Sequence, residues 1–407
     1  MSKHDTSDTE KQPSSKPVDI SSEPPDGGLT AWLQVLGAFL LFFNSWGLVN
    51  SFGVFQSYYE SNLIASHSSS SIAWIGTVQG FLLFIIGVIV GPIFDKGYLR
   101  SLVAIGSFLV VLAHGVSVGV GCAFLFLPSI AIVATYFTTR RALATGITAS
   151  GGSIGAVIYP IMFEKLIHKV GFGWTTRIMG FVALAGLSVS LIVLKRRLPP
   201  PRERRSLFDM SALREAPFLV FAFGLFLCFV GLYFPFFYLE GFFTSYLYND
   251  SSLSFYIFSV LNATSVLGRV TPGLLADHFG GLNTLAPISL LATVLAFVWI
   301  GVRDVAGAVV FACFYGYASG AIVSLPPSIL TRMSPNMGLV GTRLGMIFMF
   351  AGCGFLIGTP IASTLLNLAK AEFWKAQLFS AVFVATGTVC FFFLRVMLVK
   401  QVDGWKI

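Results

Sequence analysis

One cation stands inside an otherwise apolar stretch, and it sets the chemistry open to this chain. Arg269 lies in FYIFSVLNATSVLGRVTPGLLADHF, eight residues before Asp277, which is about 12 Å along a helix at 1.5 Å per residue. A guanidinium at that depth in an apolar medium is costly unless it faces an interior cavity, an anion or a carboxylate. Its planar fork matches a carboxylate through paired N–H···O bonds. The competing role is structural, a cation held by backbone carbonyls. Ser265 precedes it by one turn, with Asn262 just before, and Asn44 and Asn50 interrupt a second apolar run, LFFNSWGLVNSFGVF. Each of these polar groups can line a cavity or hydrogen-bond one helix to another. Trp46, Tyr233 and Phe237 would floor a cavity suited to a bulky, partly planar ligand. His114 is a candidate proton carrier, and Glu240 reads as a solvated carboxylate at a helix end. No nucleophile–base or metal-ligand spacing and no GxxxxGK[ST] loop occurs, so neither enzyme, metal site, cofactor nor nucleotide-driven motor is expected.

The elements that position these residues must be membrane helices. Of 407 residues, 55% are hydrophobic and only 11% charged, against about 25% charged in soluble domains. Several uncharged runs reach the roughly 20 residues that cross a bilayer, and they lack the short alternation of a transmembrane barrel. The expected fold class is therefore an all-α polytopic membrane protein. Spans are expected near residues 31–55, 72–94, 102–137, 142–163 and 174–194, then 217–239, 255–276, 282–302, 305–330, 340–366 and 376–400. The net charge of +8 is concentrated, with seven Lys/Arg between Lys195 and Arg214. That marks a cytoplasmic loop rather than a nucleic-acid surface. The expected organisation is a disordered cytoplasmic tail (1–25), an N-terminal helical half (26–194), a basic linker (195–216), a C-terminal helical half (217–400) and a cytoplasmic tail (401–407). The five cysteines are isolated in apolar runs and read as buried hydrophobes.

The two halves repeat. GPIFDKGYLR places Gly91 four residues before Asp95, and GLLADHFGG places Gly273 four before Asp277, an offset of 182. Further on, LPSI (127–130) answers PPSI (326–329) at an offset of 199, and ASGGSIGAVIYP (149–160) answers MFAGCGFLIGTP (349–360) at 200. The first half is thus shorter by about 18 residues. The deficit falls between Ser101 and Phe137, a run without Asp, Glu, Lys or Arg. At 1.5 Å per residue it amounts to about 27 Å of helix, close to one crossing. Either a segment is skipped near Leu112–His114, giving eleven spans and a variant that does not transport, or a short hairpin turns at His114–Gly115 and gives twelve.

Two parallel six-span halves joined by a basic loop resemble the major facilitator superfamily. GPIFDKGYLR resembles that superfamily's loop after its second span, the match carried by Gly91, Asp95, Lys96 and Gly97, with Arg100 trailing; Gly273 and Asp277 form a second copy. The glycines allow close helix approach, and each carboxylate can face the positive N-terminus of a neighbouring helix. PPDGGLTAWLQ, with Asp26, Gly27, Gly28 and Trp32, resembles the first-span entry of monocarboxylate-transporter-like proteins of the fungal branch. YFTTRRALATGITASGGSIGAVIYP, with Tyr136, Phe137, Arg140, Arg141, Gly146 and Pro160, resembles their fifth-span signature.

The resemblance implies a secondary active transporter of a carboxylated or anionic small molecule, working by alternating access. Arg269 falls at the family's substrate-binding position. Where proton–lactate symporters of the family carry Asp and Lys, this chain has Ser265 and Asn50. An Asp–Arg pair can trade a proton for a substrate and Ser–Arg cannot, so lactate symport by the usual route is not expected. Uptake of a metabolite and export of a secondary metabolite both remain open. The expected partners are an organic anion, the bilayer and, as a candidate driving ion, protons. The chain is expected to act as a monomer in the plasma membrane or the vacuolar membrane, with both tails cytoplasmic if the spans number twelve.

Overall fold

The computed structural model describes residues 24–63, 69–112, 116–197, 208–243, 251–334, 339–366 and 372–399. In a medium without water every backbone N–H and C=O must bond internally, so these apolar runs close into helices. The first span is α1 (Gly28–Asn50), which passes a break at Ser51 into α2 (Phe52–Tyr58) and a wide final turn, Tyr59–Leu63. The second is α3 (Ser69–Ile85) with α4 (Gly87–Asp95). Then come α5 (Leu99–Leu112) and α6 (Val116–Tyr136). The fifth and sixth spans share α7 (Arg141–Val193), broken where Gly171 adopts φ 74°.

After the linker, α8 (Ala216–Leu232) and α9 (Phe234–Phe242) form the seventh span, breaking at Tyr233. The eighth and ninth are α10 (Ser251–Phe279) and α11 (Gly281–Trp299). The tenth joins α12 (Val305–Ser324) to α13 (Pro326–Met333), and α14 (Val340–Thr364) and α15 (Trp374–Val399) complete the bundle. Among the described residues, nine helical stretches are long and apolar enough to cross a membrane. One of these, α7, supplies two crossings. The more polar α10 and the short α5 lie outside that set.

The third and fourth spans are both present, each cut back at the same end. α5 has 14 residues against 19 in α11, so it rises about 21 Å, short of a roughly 30 Å hydrocarbon core. α6 has 21 residues where α12 and α13 run from Val305 to Met333. The repeat deficit is therefore shared by two helices, not taken from one. His114, the candidate proton carrier, lies outside the described residues.

The halves meet where α7 packs on α10 and where α14 packs on α3 and α4. The linker is tied to both. Gln34 accepts from the Lys195 N–H at 2.7 Å and donates to the Val193 carbonyl at 3.1 Å, while the Tyr136 hydroxyl donates to the Lys195 carbonyl at 2.8 Å. On the other side, fully buried Arg343 of α14 donates to Asp209 at 2.7 Å and makes a fork onto Glu215 at 2.9 and 2.6 Å.

Candidate transport site and its gates

At the end of the bundle that carries the linker, each half sends one carboxylate into the other. Asp95, at the end of α4, accepts from the Thr342 backbone N–H and hydroxyl, both at 3.0 Å, at the start of α14. Asp277, near the end of α10, accepts from the N–H groups of Ala142 and Leu143, both at 2.9 Å, at the start of α7. Both carboxylates satisfy helix donors that lack an internal partner and sit at the positive end of the dipole. The contacts are related by the repeat: Asp95 and Asp277 differ by 182 positions, Ala142 and Thr342 by 200. Glycines make the approach possible, since a Cβ at Gly91 would lie 2.3 Å from the Gly341 carbonyl oxygen and one at Gly273 would lie 2.7 Å from that of Ala142. Gly97 makes the following turn at φ 105°, and Lys96 and Arg100 are exposed beside it. These paired contacts join the two halves at the linker end of the bundle.

The entry signature gathers at that same end. Asp26 accepts from the Thr138 N–H at 2.6 Å, the Thr138 hydroxyl at 2.8 Å and the Thr139 N–H at 2.9 Å. Its own N–H donates to Tyr136 at 3.1 Å. Burial pushes the Asp26 carboxyl up, but these hydrogen bonds outweigh it and hold the group well below the usual carboxylate range. Gly27 caps α1, Gly28 opens it at φ 80°, and Trp32 meets Phe137 edge-on at 5.2 Å. Buried Arg141 donates to the Phe137 carbonyl at 2.9 Å, while Arg140 is exposed at the α7 N-cap.

Midway along the bundle, the guanidinium of Arg269 is buried in the seam between α10 and α7. One nitrogen donates to the Ala149 carbonyl at 2.7 Å, and its Nε–H is buried without a hydrogen-bond partner. Trp46 Nε1 and the Thr148 hydroxyl are likewise buried and unpartnered. Such groups cost stability in a native fold unless a ligand or water completes them. Trp46 stacks nearly parallel to Tyr233, with centroids 6.0 Å apart and planes at 10°. Tyr233 in turn lies within electrostatic reach of Arg269. Around this pair sit Phe84, Phe126, Phe229 and Phe355, drawn from both halves. Gly146 explains how Arg269 reaches α7, because a Cβ there would lie 2.2 Å from the Arg269 carbonyl oxygen. The equivalent approach at the other contact between the halves is Gly345 against Gly87. Position 87 is the repeat counterpart of 269, so the C-terminal half alone contributes the cation.

The remaining expected site residues divide between packing and cavity. Ser265 shares a 2.6 Å hydrogen bond with Ser153 across the seam. Asn262 donates to the Phe258 carbonyl at 3.0 Å. Asn44 accepts from the Tyr159 hydroxyl at 2.6 Å and donates to the Leu40 carbonyl at 2.8 Å, both inside the N-terminal half. Asn50 instead lines a cavity of about 290 Å³ at the far end from the linker, with Pro160, Phe236, Phe237 and Glu240. The structure thus brings Arg269 and Ser265 to one seam with Tyr233 nearby, and sets Asn50 on a separate cavity at the end far from the linker. Thr148 and Ser153 were not singled out from sequence, although they lie in the small-residue run after Gly146 that presses against Arg269.

The sequence profile of the Major Facilitator Superfamily matches residues 28–324. The MFS-type transporter dbaD of Emericella nidulans is 40% identical over 365 residues, covering 86% of this chain and 82% of that protein. The aspyridones efflux protein apdF of the same fungus is 35% identical, covering 91% of this chain and 79% of that protein. The agnestins efflux protein AgnL12 of Paecilomyces divaricatus is 36% identical, covering 90% and 88%. Among solved structures, the human organic anion transporter MFSD10 superposes with a TM-score of 0.64 at 16% identity, covering 89% of this chain and 98% of that one. FucP in its outward conformation superposes with a TM-score of 0.65 at 15% identity, with the same coverage.

Proposed function

We propose that this chain, which belongs to the Major Facilitator Superfamily and so is a secondary active transporter, exports a bulky, partly aromatic organic anion. The observation that carries the reading is the set of buried, unpartnered donors, Arg269 Nε–H and Trp46 Nε1–H, beside a stacked indole–phenol pair. A carboxylate or ionised phenol accepts from such donors, and a planar body fits against Trp46 and Tyr233. The relatives named as efflux proteins for aspyridones and agnestins favour export over uptake. The likeness of the entry and fifth-span signatures supports a monocarboxylate-transporter-like carrier, with Ser265 in place of the titrating partner. Binding and release are therefore driven by rocking of the halves about Arg269, with Asp95 and Asp277 as latches. The basic linker supports a cytoplasmic position for that end and for both tails, in a carrier that works as a monomer at the plasma membrane. Comparative profiling of metabolites inside and outside cells, with and without the gene, tests this. An acidic aromatic compound should shift from medium to cell interior on deletion; an unchanged distribution of all such compounds would refute export.

The shortened α5–α6 pair favours a second reading, a variant that folds but does not transport. Against it, the latches and Arg269 lie outside that pair and are fully assembled. Flux that appears only when the hairpin is lengthened to match α11 and α12 would decide for the second reading.

A further inference from the structure

The two halves close differently at the end far from the linker. In the C-terminal half Trp299, at the end of α11, packs against Phe234 at 5.3 Å and Phe242 at 5.5 Å, and stacks on Phe311 at 5.0 Å. Gly155 presses on Phe43 as Gly354 presses on Phe226, which relates the first and seventh spans by an offset of 183 and makes Tyr59 the counterpart of Phe242. α5, however, stops at Leu112, the counterpart of Val294, more than a turn before the position of Trp299. There the N-terminal half holds a cavity of about 430 Å³, lined mainly by apolar side chains such as Phe55, Val110, Val118, Phe172 and Met179, with Tyr59 and buried Gln79 as polar members. This volume would take on the order of ten waters, yet apolar cavities stay dry and take apolar ligands. Thr176 on its wall already donates to the Phe172 carbonyl at 3.0 Å.

The cavity opens sideways onto the bilayer. Its rim residues Val111, Phe181 and Leu184 are 40%, 62% and 47% exposed, on a surface that faces hydrocarbon. Arg177 also lines it, with its guanidinium 5.2 Å over the ring of exposed Trp174. An arginine beside an exposed tryptophan near a helix end is the pairing found at headgroup depth, and a guanidinium fork suits a phosphodiester.

We infer that this cavity is a binding site for one phospholipid, its acyl chain filling the space left by the shortened α5–α6 hairpin and its phosphate resting on Arg177. The lipid does for the N-terminal half what Trp299 does for the C-terminal half. Cargo is disfavoured here because the lining is mainly apolar and holds none of the fully buried unpartnered donors, whereas Arg269 Nε–H and Trp46 Nε1–H are such donors at the seam.

The test uses the full chain in vesicles of phosphatidylcholine and phosphatidylglycerol, doped with a phosphatidylcholine carrying a terminal diazirine on one acyl chain. After photolysis, adducts should concentrate on peptides containing Val110–Val118 and Met179–Leu184. Ala183→Trp, which fills the cavity, and Val111→Trp, which closes its rim, should each lower those adducts at least fivefold while adducts on α15 stay constant. The α15 signal and monodisperse elution separate loss of the site from misfolding, and the rim variant stands if the buried one fails to fold. Arg177→Gln should lower phosphatidylglycerol retained through delipidation at least threefold. Adducts spread evenly around the bundle, or unchanged in both tryptophan variants, would overturn the inference. So would their displacement by excess 1-naphthoate, which would assign the cavity to an aromatic acid.

Discussion

Asp95 accepts both the backbone N–H and the hydroxyl of Thr342, each at 3.0 Å, so one carboxylate of the N-terminal half caps a helix of the C-terminal half. Loss of such a cap costs about 1–2 kcal/mol, a factor of roughly 5–30 in a two-state ratio. Asp95→Ala is expected to shift the carrier toward the linker-open state by that factor, and Asp277→Ala by a similar one. Spin-label distances between α4 and α14, and between α10 and α7, report the shift.

Gly146 and Arg269 share another tight contact, and it connects packing to binding. A side chain at 146 would collide with the Arg269 backbone at 2.2 Å, whereas a Cβ at Gly173 meets nothing within 4 Å. Gly146→Val should therefore reduce flux more than tenfold while leaving expression intact. Gly173→Ala should match wild type in the same vesicle assay.

Much of this was legible in sequence because glycine and carboxylate at fixed spacing, repeated at 182 residues, have few physical uses inside a membrane. Arg269 was legible for the same reason: a cation in an apolar run must be answered. The fate of the neutral polar residues was not. Asn44 and Asn50 are about one and two-thirds turns apart on one run, yet one is spent on Tyr159 and the other faces the cavity far from the linker; only the packing of α7 decides which. The deficit between Ser101 and Phe137 was visible as a number, but its division between α5 and α6 depends on where each helix meets its neighbours. The Arg343 clamp went unread because Asp209 and Glu215 lie more than 120 positions away, in a loop whose charge looked merely basic.

That clamp gives a further prediction. Arg343 is fully buried, with Asp209 and Glu215 as its acidic partners, and removing one member of a buried pair typically costs about 3–5 kcal/mol. The Glu215 carboxylate is half-exposed, so Glu215→Gln should cost less, about 1 kcal/mol. Arg343→Met should sharply lower the yield of folded protein, read as monodisperse elution after extraction. Retained yield for Arg343→Met would show that the linker needs no anchor on α14.

Asp26 ties the start of the first span to Thr138 and Thr139. Asp26→Ala should destabilise by about 1 kcal/mol at neutral pH. Because the folded carboxyl lies below its ordinary value, its contribution is complete above the unfolded pKa of about 3.9 and fades only as pH falls toward the folded one. The difference in melting temperature between wild type and variant should thus be constant from pH 8 to pH 5 and shrink only in stronger acid.

Ser265 stands one turn from Arg269 and bonds to Ser153. Ser265→Asp would introduce a carboxylate that competes with an anionic cargo for the same guanidinium. Affinity for the anion should fall at least tenfold at pH 7 and partly recover at pH 5; an unchanged affinity would place the cargo away from this seam.

The most direct measurement is counterflow of the exported metabolite in vesicles carrying wild type or Arg269→Gln, with Gly173→Ala as control. Loss of at least about 100-fold for the anion, equivalent to roughly 2.7 kcal/mol, is expected with the control unaffected. Wild-type counterflow by Arg269→Gln would contradict recognition of an organic anion at Arg269.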